Sequence, residues 1–249
     1  MSYYFQKRSN LYWLLSIIIL LISNVINIIY NTPMVPDQHW AQKIFYIHVP
    51  SAWVGFLSYF IVMISGIMYL TKLDEKWDHL GLASAEIGTF FISLVLITGP
   101  IWATPIWGKP WIWEPRLTTT LILFLIYIGY FMMREFGGYI ERIRRNAAAV
   151  GIVSFINVPI IFLSVQFWSP EIQSHPQVEM AQQPSAILYP FLFSLFAFSK
   201  SVHSLFLSFK SSISGITLSL SITISMKPII IKLTKVTVII TLTIIKILA

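Results

Sequence analysis

Six apolar segments, each about the length of a membrane span, constrain this chain more than any other feature of its sequence. Leu11 to Tyr30 is a nearly unbroken apolar run of 20 residues. A helix of that length spans about 30 Å, which is the thickness of the hydrocarbon core. The sequence therefore predicts an all-α polytopic membrane protein, a six-transmembrane-helix bundle. The predicted spans are 11–30, 51–70, 82–99, 117–133, 147–167 and about 185–205.

The composition agrees with a membrane protein. The chain is 56% hydrophobic and 11% charged, whereas soluble domains carry about 25% charged residues. It has no cysteine, which excludes disulfides and thiolate metal sites. We expect no cleavable signal peptide, because the first apolar run is too long for a signal sequence and no small-residue cleavage site follows it.

The net charge of +7 reflects membrane topology rather than nucleic-acid binding. Eight cations lie at the N-terminus and in the connectors 71–79 and 134–146, against three in the connectors 31–50, 100–117 and 168–184. This excess predicts an N-terminus on the cytoplasmic or matrix side. The connectors 31–50, 100–117 and 168–184 each follow an odd-numbered span, so all three are expected on the outer face. The eight cations are Lys7, Arg8, Lys72, Lys76, Arg134, Arg142, Arg144 and Arg145, and the three are Lys43, Lys109 and Arg116.

The segment from Trp102 to Arg116 is the most unusual part of the chain. It holds four of the nine tryptophans, together with three prolines and a glycine, and this pattern predicts a non-helical loop. Indoles at a membrane boundary either rest against the bilayer or form a platform for a flat ligand. The neighbouring cations Lys109 and Arg116 favour a platform. The tryptophans are Trp102, Trp107, Trp111 and Trp113.

Two histidines are candidate ligands on the same predicted face. His48 lies in an apolar and aromatic stretch, and His175 lies in the connector before the sixth span. Either one alone would be an ordinary loop histidine. Two of them flanking the indoles suit a planar iron cofactor, with one imidazole on each side of the metal and cations for its carboxylates. His79, next to Asp78 in a charged connector, is predicted to be solvated.

Other chemistries have little support in the sequence. No paired histidines have zinc-site spacing, and no glycine loop of the Walker type is present. Glu86 is the one carboxylate near the start of an apolar span, which is thin support for an ion-coupled transporter.

The motifs resemble those of one family. The segment from Trp102 to Thr118 resembles the tryptophan-rich "WWD" signature of the haem-handling membrane proteins of cytochrome c maturation, and Tyr46 to Trp53 is similar to a second segment of these proteins. Together with six spans and about 250 residues, they indicate the haem exporter protein C family (CcmC). The resemblance covers roughly Trp40 to Phe198.

This resemblance implies a protein that binds haem b (iron protoporphyrin IX) on the outer face and presents it to the haem chaperone CcmE. It implies the partners CcmD and the ATP-hydrolysing pair CcmA and CcmB, in a bacterial or mitochondrial inner membrane, and no enzymatic activity of its own. The family's axial histidines fall on His48 and His175, and its signature falls on the four tryptophans with Arg116 following. Glu114 stands where the family has aspartate, and the resemblance implies that it belongs to the haem-binding residues together with the tryptophans and Arg116. Two alternatives stay open, a membrane haem lyase or oxidoreductase and an ordinary solute transporter.

The resemblance also divides the chain. Residues 1–198 correspond to the haem-handling transmembrane domain, and residues 199–249 form an atypical tail. No acidic residue follows Glu179 and no aromatic residue follows Phe209. We predict that this tail derives from a frameshifted reading frame or is poorly ordered.

Overall fold

In the residues that the structure describes, the regular elements are helices. The computed structural model describes residues 2–34, 38–167 and 184–216. A short 3-10 turn, Trp40–Ile44, precedes the second helix. Within the described ranges the helices are α1 (Ser2–Asn31), α2 (Phe45–Lys72), α3 (Glu75–Trp107), α4 (Pro115–Phe136), α5 (Ile140–Phe155), α6 (Asn157–Phe167) and α7 (Ser185–Ile216).

Several of these helices have the length and hydropathy of membrane spans, so the predicted all-helical membrane protein is confirmed. In the part of the chain that the structure describes, four candidate spans are present, and two shorter apolar segments cover Leu15–Asn31 and Ser185–Lys200. The four candidate spans are Trp40–Lys72, Glu75–Trp107, Pro115–Phe136 and Ile140–Ser164.

The chain divides into two compact units. The first contains α1, the 3-10 turn, α2 as far as Pro50, and α7. Inside it, the Ser194 hydroxyl donates to the side-chain oxygen of Asn24 at 2.9 Å, and both residues are buried. Pairing two polar side chains in this way satisfies groups that would otherwise be costly among apolar neighbours.

The second unit contains α2 from Ser51 onward and helices α3 to α6. Its interior is built on a close approach of α2 to α3. The ring of Tyr59 passes over Gly88, where an added Cβ would lie 2.6 Å from a ring carbon. Tyr59 also stacks on Tyr127 of α4, with ring centroids 3.8 Å apart, and its hydroxyl lies 3.1 Å from the Thr89 hydroxyl. A glycine at position 88 therefore makes room for the aromatic pair that joins three helices.

The prediction that the whole segment from Trp102 to Arg116 is non-helical is wrong. Helix α3 continues through Pro100 and Pro105 to Trp107, and α4 begins at Pro115. Both prolines lie inside the helix, and the Thr104 hydroxyl between them donates to the Pro100 carbonyl at 2.8 Å. Helices in apolar surroundings tolerate proline better than helices in water. Only residues 108–114 of the segment are non-helical.

Other predicted boundaries also move. The charged connector 71–79 is mostly helical, because α3 begins at Glu75 on the N-cap Asp74. The connector 31–50 is likewise shorter, with α2 beginning at Phe45. The predicted fifth span, 147–167, is interrupted at Ile156 between α5 and α6. Pro159 explains the interruption, since its ring clashes with the carbonyl four residues earlier and it lacks an amide donor.

The predicted sixth span lies in α7, which begins at Ser185 and extends to Ile216. The proposed domain boundary at 198 therefore falls inside a helix. Residues 217–249, most of the predicted atypical tail, lie outside the described residues. The origin and order of that tail stay predictions.

Candidate functional site

The break between α3 and α4 determines where the tryptophans lie. Gly108 ends α3 in the left-handed conformation, with φ of 71°, and its amide donates to the Thr104 carbonyl at 2.9 Å. Glycine adopts this conformation without the steric cost of a Cβ. Pro115 then occupies the first turn of α4, where its missing amide donor costs nothing. The two helices are thus joined by a seven-residue break, 108–114.

Two of the indoles precede this break and two lie within it. Trp102 and Trp107 belong to the last turns of α3, whereas Trp111 and Trp113 lie in the break itself. The rings of Trp111 and Trp113 meet edge to face, with centroids 5.6 Å apart and planes at 76°. Trp113 is 66% exposed, and the other three are half-buried. The structure therefore brings Trp111 and Trp113 into ring contact with each other and leaves Trp113 open to its surroundings.

Trp111 has an unusual polar atom. Its indole nitrogen is buried and has no hydrogen-bond acceptor among the residues that the structure describes. A buried N–H without an acceptor costs free energy of about 1–3 kcal/mol. Such a donor is a natural contact for an acceptor that is supplied by a ligand.

Charged groups border the same break. Glu114, the N-cap residue of α4, is 5% exposed. The positive end of the α4 dipole stabilises its carboxylate, and the Arg116 guanidinium is close enough for the two charges to interact. Lys109 is exposed. We call residues 102–116 the tryptophan end of the second unit.

His48 lies in a different setting from the one predicted. It is not in a connector but in the first turns of α2, and it is 8% exposed. It belongs to the first compact unit, whereas the tryptophans belong to the second. His175 lies outside the described residues, so its role as a ligand stays a prediction.

A second charged cluster was missed by the sequence interpretation. At the N-terminal end of α3, the Asp78 carboxylate accepts from both terminal nitrogens of Arg134, at 2.7 and 2.8 Å. Arg144 of α5 lies 3.4 Å from Asp78 through Nε and also pairs with Glu75. We call these four residues the ion-pair end. The signal was available, because the connectors that hold them were all predicted on one membrane face.

The beginning of α3 next to this cluster carries the clearest electrostatic shift outside the spans. The Asp74 carboxylate accepts from the Lys76 amide at 3.0 Å and pairs with its ammonium group at 2.7 Å. These contacts with Lys76 lower the pKa of Asp74 below its ordinary value. His79 is half-buried rather than fully solvated.

No group of three His, Asp or Glu side chains is positioned to hold a metal ion within residues 2–34, 38–167 and 184–216.

Comparison with known proteins gives a consistent result. Residues 2–218 match the family model described as "Heme exporter protein C". A relative named heme exporter protein C from Bradyrhizobium diazoefficiens is 34% identical over 69% of this chain and 67% of its own length. A putative cytochrome c biosynthesis ccmC-like mitochondrial protein from Marchantia polymorpha is 37% identical over 51% of this chain. The Escherichia coli heme exporter protein C is 29% identical over 65% of this chain.

The matched stretches do not cover the whole of these relatives. They span 53% of the Marchantia protein and 66% of the Escherichia coli protein. Both bacterial and mitochondrial proteins are among the relatives.

Proposed function

This chain belongs to the haem exporter protein C family, and from that membership we propose that it binds haem and hands it on in cytochrome c maturation. The observation that carries the proposal is the tryptophan end. A T-shaped indole pair at the boundary of apolar helices, with one ring 66% exposed, provides flat apolar surface for a macrocycle. Aromatic rings favour such offset and edge contacts with other π systems.

The described residues fit a haem chemically. The Trp111 indole N–H lacks an acceptor within the described ranges, and a propionate oxygen is an acceptor of the kind it needs. Arg116 and Lys109 supply cations for the propionates, as guanidinium and ammonium groups commonly do for carboxylates. Glu114, on the other hand, is an acceptor and a negative charge. We propose that it orients Arg116 rather than contacting the propionates.

We propose that His48 and His175 ligate the iron. The bound group would supply a redox-active iron whose two axial positions the imidazoles fill, so that oxygen has no open coordination position. His48 is suited to this role because it is a buried imidazole held on a helix rather than on a connector. The proposal that both histidines serve the same site as the tryptophan end rests on the sequence, in which both lie in connectors on the predicted outer face.

Hand-over requires that the site can be opened. Trp113 has two thirds of its surface exposed, so a partner can reach the ligand edge that it covers without unfolding a helix. We propose that this partner is CcmE and that CcmD, CcmA and CcmB complete the assembly, with ATP hydrolysis on CcmA and CcmB. The chain itself is proposed to act as a carrier and not as an enzyme.

The membrane arrangement completes the proposal. Adding the shorter apolar segments of α1 and α7 to the four candidate spans gives six spans, with the N-terminus on the cytoplasmic or matrix side. The tryptophan end then faces outward and the ion-pair end inward. The membrane is proposed to be a bacterial or mitochondrial inner membrane.

The test is spectroscopic. Protein purified in detergent should show a Soret band in its oxidised and reduced forms, and His48→Ala and His175→Ala should each shift that band and weaken haem retention. His39→Asn is the matched control, because His39 is exposed and has a φ of 46°, which asparagine tolerates. Spectra that stay unchanged in both single variants would remove the ligand assignment, and wild-type protein without any haem signal would remove the function.

A further inference from the structure

Lys43 is one of the three cations that the sequence predicts on the outer face, and in the structure it contacts the end of α1. Its ammonium group donates to the Ile28 carbonyl at 3.0 Å and to the Ile29 carbonyl at 2.7 Å. It also reaches the carbonyl and the hydroxyl of Thr32, at 3.4 and 3.2 Å. These acceptors all belong to the C-terminal end of α1 and the residue that follows it, so Lys43 is committed to the end of another helix.

The physical need for this contact is clear. The last four carbonyls of a helix have no partner within it, and the end of the helix carries a partial negative charge. α1 ends at Asn31, and only part of this need is met locally, by the Thr32 hydroxyl that donates to the Ile28 carbonyl at 2.6 Å. A lysine from the next element supplies both the donors and the positive charge.

The same contact fixes the beginning of α2. Lys43 lies in the 3-10 turn Trp40–Ile44, directly before α2. Phe45 and Tyr46, the first two residues of α2, are buried, and the Phe45 ring packs against Phe191 of α7 with centroids 5.5 Å apart. The entry to α2 is thus held from two sides, by hydrogen bonds to α1 and by an aromatic contact to α7. His48 follows three residues after Phe45 on the same helix.

We propose that Lys43 is a positioning residue for His48: by tying the turn 40–44 to the end of α1, it fixes the direction in which α2 begins and with it the place of the imidazole. The proposal rests on the proposed function only in that His48 serves as the iron ligand. The positioning role also explains why a cation lies on the predicted outer face, where cations are otherwise rare. Lys43 is used inside the protein and is not free to pair with a propionate.

The first measurement uses protein without haem. In hydrogen exchange of the full-length protein in detergent, Lys43→Met should speed exchange of the amides at 28–32 and 44–49 by about tenfold, the effect of losing one hydrogen bond to a charged group. The amides at 108–116 should exchange as in the wild type. Lys43→Arg should restore part of the protection, since a guanidinium group keeps the charge and the donors. Lys72→Met, which alters an exposed lysine at the other end of α2, is the control and should change nothing at 44–49.

The second measurement uses haem-loaded protein. Lys43→Met should keep haem at the tryptophan end but lose part of the low-spin signal in electron paramagnetic resonance, and added imidazole should restore it. Unchanged exchange at 44–49, or faster exchange with an unchanged low-spin signal, would overturn the positioning role. Faster exchange in a protein whose wild type takes up no haem would overturn the proposed function while leaving the anchoring of α2 intact.

Discussion

The ion-pair end and the tryptophan end of the second unit differ in how their polar side chains are paired. At the ion-pair end, two carboxylates and two guanidinium groups compensate one another, and Asp78 is 5% exposed at its side chain with Arg134 at 12%. At the tryptophan end, the buried Glu114 carboxylate interacts with the neighbouring Arg116, the Trp111 indole nitrogen has no acceptor within the described residues, and Trp113 is mostly exposed. The 33 residues of α3 separate the two ends by about 50 Å.

This difference separates structural from functional chemistry. The charges of the ion-pair end compensate one another and hold three helices together, although Arg144 Nε and the indole nitrogen of Trp77 there also have no hydrogen-bond partner within the described residues. The tryptophan end differs in its exposed aromatic surface, and apolar aromatic surface beside a few polar groups is typical of a binding site. The ion-pair end should therefore matter most for stability and the tryptophan end most for ligand binding.

The largest expected effect is at the ion-pair end. Asp78→Asn removes the carboxylate that accepts both nitrogens of Arg134 and leaves a partly buried guanidinium without its counter-charge. Breaking a buried pair by removing one partner typically costs about 3–5 kcal/mol. We expect a loss of this order in the free energy of unfolding, measured by denaturant titration in detergent, with haem binding unchanged in the fraction that stays folded.

Two variants sharpen this prediction. Glu75→Gln alters a carboxylate that is 64% exposed at its side chain, and exposed ion pairs contribute about 0–1 kcal/mol. Asp78→Leu combined with Arg134→Met removes both charges of the buried pair, and the loss should then be much smaller than for Asp78→Asn. If Glu75→Gln costs as much as Asp78→Asn, burial is not what gives the ion pair its importance.

A smaller effect is expected between the two ends, where α2 and α3 pack closely. Gly88→Ala places a Cβ 2.6 Å from the Tyr59 ring, and overpacking of this kind costs about 1–3 kcal/mol. Gly129→Ala on α4 is the matched control, because no heavy atom lies within 4 Å of its added Cβ and alanine is the better helix former by up to about 1 kcal/mol. Thermal unfolding of both variants measures the difference. Equal melting temperatures would mean that the stacked Tyr59 and Tyr127 pair does not depend on the glycine.

The sequence predicted the helices of this fold better than their ends. Apolar runs located α2, α3 and α4 because a span needs an unbroken hydrophobic length. The ends were misplaced because polar side chains extend helices beyond that length. Asp74 caps α3 well before its apolar run, and at its other end α3 continues through Pro100 and Pro105 into the tryptophan segment. Rules for proline from proteins in water do not carry over to a helix in an apolar environment.

The candidate site was predictable only in part, for a related reason. Residue types identified the tryptophans, Glu114 and Arg116, and composition alone could not tell that Glu114 is buried or that Trp111 contacts Trp113. Lys43 was predicted as an outer-face cation, and only the folded structure connects it to the end of α1. Pairing across connectors depends on packing, which a local sequence pattern does not contain.

The smallest effects on stability should come from the tryptophan end, and they test its assignment as a binding surface. Trp113→Ala removes a ring that is 66% exposed, so we expect a stability loss of about 1 kcal/mol, the value of its edge-to-face contact with Trp111, together with weaker haem retention. Trp111→Phe keeps a ring and removes the buried N–H, which has no acceptor in the described ranges.

Removing a buried, unsatisfied donor relieves its cost, so the unloaded Trp111→Phe protein should unfold at the same or a slightly higher temperature than the wild type, whereas its haem should dissociate faster. Unfolding temperatures of unloaded protein and dissociation rates of loaded protein measure the two effects separately. If either variant destabilises the unloaded protein as much as Asp78→Asn does, the tryptophan end is a structural element, and the contrast between the two ends of the unit fails.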